Sequence, residues 1–337
     1  MMQEAIRLVI EGHDLTAQQA YAVMNAVMAG EATPSQIAAF LVAEKLKGET
    51  SDEVTGFARA MRENATPVAT QHRVAIDMCG TGGDGSGTFN ISTVASFVVA
   101  GGGVAVAKHG NRSVSSRCGS ADLLERMGVK IDLHAEQISR CLDEIGIAFL
   151  FAPMLHPAMK HAVGPRREIG VRTVFNLLGP LTNPARVKRQ VLGVYRADVA
   201  KLVAEVLREL GAEHILIVHS EDGLDEVSAH TQTYAVELKD GIISEKSIAP
   251  NEFGIKPCEQ DGVVGGSPEQ NAETAMNVLR GAPGPARDIV VANAACGFVV
   301  AGATDNFKQG ASLAIASIDS GAALQKFEAL KELSNRV

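Results

Sequence analysis

From about residue 68 onward, short apolar runs alternate with helical stretches, and this alternation constrains the fold more than any other feature. Strand-like runs are expected at residues 74–77, 104–108, 148–151 and 214–219, with helices between them such as 121–127 and 199–210. Asp198 stands where it could cap the second of these helices. Strands separated by helices pair in parallel, so this part of the chain reads as α/β with a mostly parallel sheet. Residues 231–236, TQTYAV, alternate with period two instead, which predicts some antiparallel strand.

The first 65 residues have a different character. Thr16 with Gln19 forms a capping-box pattern, and the helix it opens stops near Gly30. Thr33 precedes Pro34, a good first helical residue, and that helix ends near Gly48. Thr50 with Glu53 opens another, running through Phe57 and Met61. An all-α lobe is therefore expected, joined to the α/β part by the linker Asn64-Ala65-Thr66-Pro67.

Composition narrows the functional class. A length of 337 residues, 46% hydrophobic and 21% charged, suits a globular protein of two lobes. The net charge of −8 argues against a protein that coats nucleic acid, while leaving room for a local basic pocket. Five scattered cysteines (Cys79, Cys118, Cys141, Cys258, Cys296) show no CxxC pairing and read as reduced thiols of a cytoplasmic protein. The N-terminus lacks a signal-type apolar core. The uncharged stretch 85–107 contains Asn90, Ser92, Thr93 and three consecutive glycines, so a buried helix and strand are expected rather than a membrane span.

The stretch CGTGGDGSGTFNIST follows the first α/β strand. Gly80, Gly82 and Gly85 match the dinucleotide pattern G-x-G-x-x-G, but no acid occurs between Asp84 and Asp122 to hold a ribose. No Gly-Lys-Ser/Thr follows either, which excludes a Walker A loop. What remains is a cradle for a polyanion. Glycines allow successive N–H groups to converge on phosphate oxygens, and a helix starting near Asn90 adds its positive end. Asn90, Ser92 and Thr93 could donate from that first turn or simply cap it. A second donor-rich segment, KHGNRSVSS, follows the next strand at the end where open α/β sheets place ligands.

These blocks together resemble a known family. DMCGTGGDG with TFNIST, VAKHGNRSVSSRCGSADLLE, FAPMLHPAMKHAVGPRREIGVRTVFNLLGPLTNPA, HSEDGLDEVS and NAACGFVVAG closely resemble the anthranilate phosphoribosyltransferases of tryptophan biosynthesis, over nearly the whole chain. Pyrimidine nucleoside phosphorylases are similar in fold but lack the combined set. The resemblance implies a small helical domain of residues 1–66 with part of 165–184, and a large α/β domain of 67–164 and 185–337. It implies anthranilate and 5-phosphoribosyl 1-diphosphate (PRPP) as substrates, Mg2+ as cofactor, a homodimer formed through the small lobe, and no nucleic-acid or membrane partner. An association with anthranilate synthase is not decided by the sequence.

By the same resemblance, Gly80, Gly83, Asp84, Thr88, Asn90, Ile91, Ser92 and Thr93 would line PRPP. Lys108, His109, Gly110, Asn111, Arg112, Ser113, Val114, Ser115, Ser116 and Ser120 would complete that site. Asp225 and Glu226, with the Ser92 hydroxyl, would hold the metal, which prefers oxygen ligands and keeps several waters. Arg166 would meet the anthranilate carboxylate, for which a planar guanidinium is suited, with Gly80 and Asn111 beside it. His109, His156 and Met159 would line its path, Arg167 and Arg172 would form interlobe salt bridges, and hinges are expected at residues 66–68 and near Pro184. No covalent nucleophile is required. Two departures from the family pattern, Ser220 before the acidic loop and Pro165 before Arg166, concern only local backbone shape.

Overall fold

The computed structural model describes residues 1–113, 117–256 and 260–337; Val114, Ser115, Ser116 and Cys258 lie outside the described residues. The N-terminal lobe contains the helices Met2–Ile10, Ala17–Met28, Pro34–Lys47 and Ser51–Glu63. The last three open on complete capping boxes at Thr16, Thr33 and Thr50, because each threonine hydroxyl takes the amide of the third helical residue while that residue's side chain returns to the cap.

Seven strands form the sheet: β1 (Ala75–Gly80), β2 (Ala105–Gly110), β3 (Ile147–Phe151), β4 (Arg189–Gly193), β5 (His214–Ser220), β6 (Thr233–Lys239) and β7 (Ile242–Ile248). Their order is β3-β2-β1-β4-β5-β6-β7, parallel through β5 and antiparallel for the last two pairs. The chain moves outward from β1 to β3, then returns to the other side of β1 as β4. The carboxyl ends of β1 and β4 therefore mark the point where connections diverge, which is where open α/β sheets leave a crevice.

The expected alternation is present, with corrections at particular elements. β4 was not anticipated: in RQVLG only Val191 and Leu192 form an apolar pair, too short a run to signal a central strand. β2 extends past the expected end at Lys108, so His109 and Gly110 are strand residues rather than loop residues. Asp198 is not the cap of the following helix, Ala200–Glu209, which grows from a 3-10 turn; its carboxylate pairs with Arg196.

The core is continuous between the lobes. One cluster joins Phe40 and Phe57, packed edge to face at 5.9 Å, with Leu178, Leu192, Ile215 and Ile217 on the near face of the sheet. The other lies across the sheet, where the helices Ile91–Gly101 and Pro285–Ala301 bury nearly every side chain. No helix among the described residues is long and apolar enough to cross a membrane.

A buried acid interrupts the helical lobe. Glu44 is fully buried and neither carboxyl oxygen has a hydrogen-bond partner among the described residues. The Lys47 ammonium is already engaged by Asp14, Glu53 and the Gly48 carbonyl. Burial first, and the neighbouring Glu53 second, push the Glu44 carboxyl up from 4.5 to about 8. Between those two values the folded chain keeps a proton that the unfolded chain has lost, so this group's stabilising contribution falls as pH rises through that window. Glu44→Gln is thus expected to lose less melting temperature than the parent between pH 5 and pH 9 (about the span of that titration). Parallel melting curves for the two proteins would contradict this.

Candidate active site

At the carboxyl ends of β1 and β4, Gly80 and Gly193 are register partners. Both lie under the loop that leaves β5. A Cβ at Gly193 would stand 1.6 Å from the Asp225 carbonyl oxygen, and one at Gly80 would stand 2.5 Å from Asp225 Oδ2. At Gly193 a side chain would run into the Asp225 backbone, and at Gly80 it would have to push the Asp225 carboxylate aside, so two missing side chains let the acidic loop rest on the sheet edge. Asp225 Oδ2 accepts the Gly82 N–H at 2.8 Å. Asp84 Oδ2 accepts the Asp225 N–H at 3.3 Å and the Ser86 hydroxyl at 2.6 Å. Gly82, Gly83, Gly85 and Gly87 all hold positive φ, which is why this loop needs bare backbone.

The helix Ile91–Gly101 points its amino end at the same place. Asn90 occupies its cap position but makes no cap bond; its side chain joins the Cys118 carbonyl at 3.0 Å and Asn271 at 3.1 Å. Glu226 Oε1 takes the Ser92 N–H instead, at 3.1 Å, so a carboxylate sits at the positive helix end. Ile91 and Thr93 are buried, leaving Ser92 as the first-turn side chain at the cleft. Lys108 Nζ lies between the Met78 carbonyl at 2.5 Å and the Ser92 hydroxyl at 3.4 Å.

This gathers Asp84, Asp225 and Glu226, with the buried Lys108 ammonium acting on Glu226. Desolvation, then the neighbouring acid, raises the proton affinity of both Asp225 and Glu226, while Lys108 opposes the rise at Glu226. Such a set lacks positive charge. Its donors are hard oxygens, which fits a Mg2+ ion. Among the described residues no three His, Cys, Asp or Glu side chains form a metal cage unaided, and that suits an ion that takes its remaining ligands from water and phosphate.

The segment after β2 is only partly turned toward the cleft. Gly110 ends the strand, and the Asn111 carbonyl accepts the Ala121 N–H and the Ser120 hydroxyl, both at 3.2 Å. Arg112, expected on PRPP, is paired with Asp122 at 3.0 Å and Glu125 at 2.8 Å. The Ser113 N–H also goes to Asp122. Thr88 bridges to Val264 at the loop's far end.

The expected acceptor residues gather around one helix. Arg166, half-buried, stacks on the Phe175 ring at 4.8 Å. His109 hydrogen-bonds the Gly179 backbone, one turn farther along the same helix, Phe175–Leu181. The His109 and His156 rings are 5.2 Å apart, and neither Nε2 has a partner among the described residues. Burial above all drives His109 down to about 3 and His156 to about 4, so both rings are neutral at physiological pH. The expected ion pairing of Arg172 is replaced by stacking on Tyr195 at 4.6 Å, and Arg167 is exposed without an ion pair among the described residues. Ser220 has a role that the sequence did not reveal: its hydroxyl bonds the Glu226 carbonyl at 2.5 Å and accepts the Ser228 N–H at 3.1 Å, bracing the acidic loop from behind.

Residues 72–324 match the glycosyl transferase family model for its a/b domain, and residues 3–65 match the helical bundle domain of that family. The anthranilate phosphoribosyltransferase of Moorella thermoacetica is 54% identical, covering 98% of this chain and 97% of that protein. The Pelotomaculum thermopropionicum enzyme of the same name is 51% identical, over 100% and 98%. This chain belongs to the anthranilate phosphoribosyltransferase family. The crystal structure of the member from Thermus thermophilus superposes with a TM-score of 0.93 at 44% identity, covering 98% of this chain and 99% of that one. The Saccharomyces cerevisiae member, solved in complex with PRPP and Mg, gives 0.92 at 25% identity, over 100% and 98%.

The close approach of Asp225 to Gly80 generates a specific expectation. Gly80→Ala should displace the Asp225 carboxylate and lower kcat/KM by about 100-fold while the protein stays folded. Parent-like kinetics in a folded variant would contradict the packing described.

Proposed function

We propose that the chain transfers the phosphoribosyl group of PRPP to the amine of anthranilate, with Mg2+, giving N-(5-phosphoribosyl)anthranilate and diphosphate. The observation that carries this reading is the meeting of the glycine loop, the amino end of the Ile91 helix, Lys108 and the Asp225-Glu226 loop at the sheet's carboxyl edge. Backbone N–H groups of the loop and helix would donate to the diphosphate and 5-phosphate oxygens. Asp225, Glu226 and the Ser92 hydroxyl would hold Mg2+, directly or through water. When bound with the diphosphate, Mg2+ supplies positive charge that stabilises the departing group. Lys108 adds a fixed cation at the base of the cleft, pre-oriented by Met78.

Arg166, desolvated and held flat against Phe175, would orient the anthranilate carboxylate. The neutral His109 and His156 would line the acceptor path without adding charge. An aromatic amine is already unprotonated at neutral pH, so the chain's task is to hold it near the ribose anomeric carbon while the other side of the sugar loses its diphosphate. The alternative, a pyrimidine nucleoside phosphorylase, is disfavoured by the carboxylate pair: beside free phosphate these acids would repel the substrate.

We further assign the small domain to residues 1–66 with part of 165–184, and the large one to 67–164 and 185–337, the lobes closing about residues 66–68 and Pro184. Exposed Leu46 and Val42, one turn apart on a small-lobe helix, with Ile10 on another, support a homodimer through that lobe. A cytoplasmic location accords with the reduced thiols at Cys79, Cys118, Cys141 and Cys296.

Mixing the protein with anthranilate, PRPP and Mg2+ should quench anthranilate fluorescence, whereas thymidine or uridine with phosphate should not react. Unchanged fluorescence with folded protein, or phosphorolysis of the nucleosides, would overturn the assignment. Replacing Asp225 and Glu226 by Asn and Gln should lower turnover by at least about 1,000-fold. Arg166→Ala should raise the anthranilate KM by about 10-fold or more and leave the PRPP KM within about twofold, because only one substrate loses its partner. Equal shifts in both KM values would refute the role given to Arg166.

A further inference from the structure

Strands β1 and β2 pair in register only at their first residues, Ala75 with Ala105 and Ile76 with Val106. Both strands continue well beyond that point. β1 stays paired with β4 from Ile76 to Gly80, and β2 with β3 from Val106 to Gly110. The hydrogen-bonded ladder is therefore interrupted along the β1/β2 seam toward the edge that carries the candidate active site, although the two strands stay adjacent.

In a parallel ladder alternate residues face alternate neighbours. Val106 donates to Gly146 on the β3 side, so Ala107 and His109 present their backbone groups to the seam. By the same alternation Thr81 donates to Gly193 on the β4 side, so Met78 faces the seam from β1. Three of these backbone groups are satisfied by side chains. The His109 N–H donates to Asp77 Oδ1 at 3.0 Å, the Ala107 carbonyl accepts from Asn183 Nδ2 at 2.9 Å, and the Met78 carbonyl accepts from Lys108 Nζ at 2.5 Å. Asn183 Nδ2 also donates to Asp77 Oδ2 at 2.8 Å. Asp77, Asn183 and Lys108 are all buried.

Asn183 belongs to the segment that links the Phe175–Leu181 helix to β4, and its Oδ1 accepts the Ala185 N–H at 2.8 Å. The next residue, Pro184, accepts the Val68 N–H at 3.1 Å. Two of the three chain crossings between the lobes, at residues 66–68 and at 183–185, thus meet beside the seam.

We propose that Asp77 and Asn183 are positioning residues for the transfer reaction: they wedge the β1/β2 seam open and couple its width to the interlobe crossings. The glycine loop leaves β1 and the Asn111 segment leaves β2, so the wedge sets the distance between the two sides of the PRPP cradle. The proposal rests on the phosphoribosyl-transfer reading. Donors face both Asp77 oxygens, so an amide there would set donor against donor in either orientation. An acid at position 183 would set acceptor against acceptor.

The test is a swap. Asn183→Asp should lower kcat and raise the KM of both substrates, reducing kcat/KM by about 100-fold at a temperature where circular dichroism shows it folded. The double variant Asp77→Asn with Asn183→Asp restores an amide-carboxylate pair, and should recover about tenfold of that loss. A purely structural network would lower the melting temperature but leave both KM values of the folded protein unchanged. Parent-like KM values in folded Asn183→Asp, or losses that simply multiply in the double variant, would overturn the proposal. If Asn183→Asp fails to fold, Asn183→Ala removes the donor without adding charge, and the same KM comparison decides. Inactive parent protein would defeat the transfer reading itself; active parent with unaffected folded variants would defeat only the wedge.

Discussion

Much of this structure follows from where Asp225 rests. Its backbone lies over Gly193 and its carboxylate over Gly80, two residues paired across β1 and β4. The acidic loop is consequently tied to the glycine loop through Gly82 and to the Ile91 helix through Glu226 and Ser92. These contacts gather acids where donors for an anion also converge. A buried group of like charges is costly unless a cation joins it. Lys108 supplies part of that charge, and the remainder is what a divalent ion with an anionic sugar phosphate would supply in the proposed function.

The side proposed for the acceptor is built on a different principle. Two buried neutral imidazoles and an arginine stacked on Phe175 bring one charge to the surroundings of the helix Phe175–Leu181. A planar aromatic acid suits it. A hydrated phosphate does not. The helix Phe175–Leu181 connects this region to the segment carrying Asn183, so the proposed acceptor side and the sheet seam share one short path through the chain.

The α/β class, the capped helices and the antiparallel β6 were legible because each rests on local signals: periodicity, capping residues, turn glycines. β4 was not, since its position between β1 and β5 comes from long-range pairing and its apolar run is too short to stand out. The same limit applies within the site. The glycine loop announced itself through positive φ, a local need, but Gly193 carries no local signal because its lack of a side chain matters only to Asp225. Arg112 was readable as a cation, yet its pairing with Asp122 and Glu125 depends on how the next helix is placed. Ser220 read as a departure from the family pattern; its brace on Glu226 is visible only in three dimensions.

The central claim is that the gathered acids act through a divalent ion shared with the sugar diphosphate. Calorimetric titration of PRPP into the protein, with Mg2+ and then with excess chelator, tests it most directly. Binding at one site per chain with Mg2+, weakened by at least about 100-fold without it, is the predicted result. Equal affinity under both conditions would contradict the account.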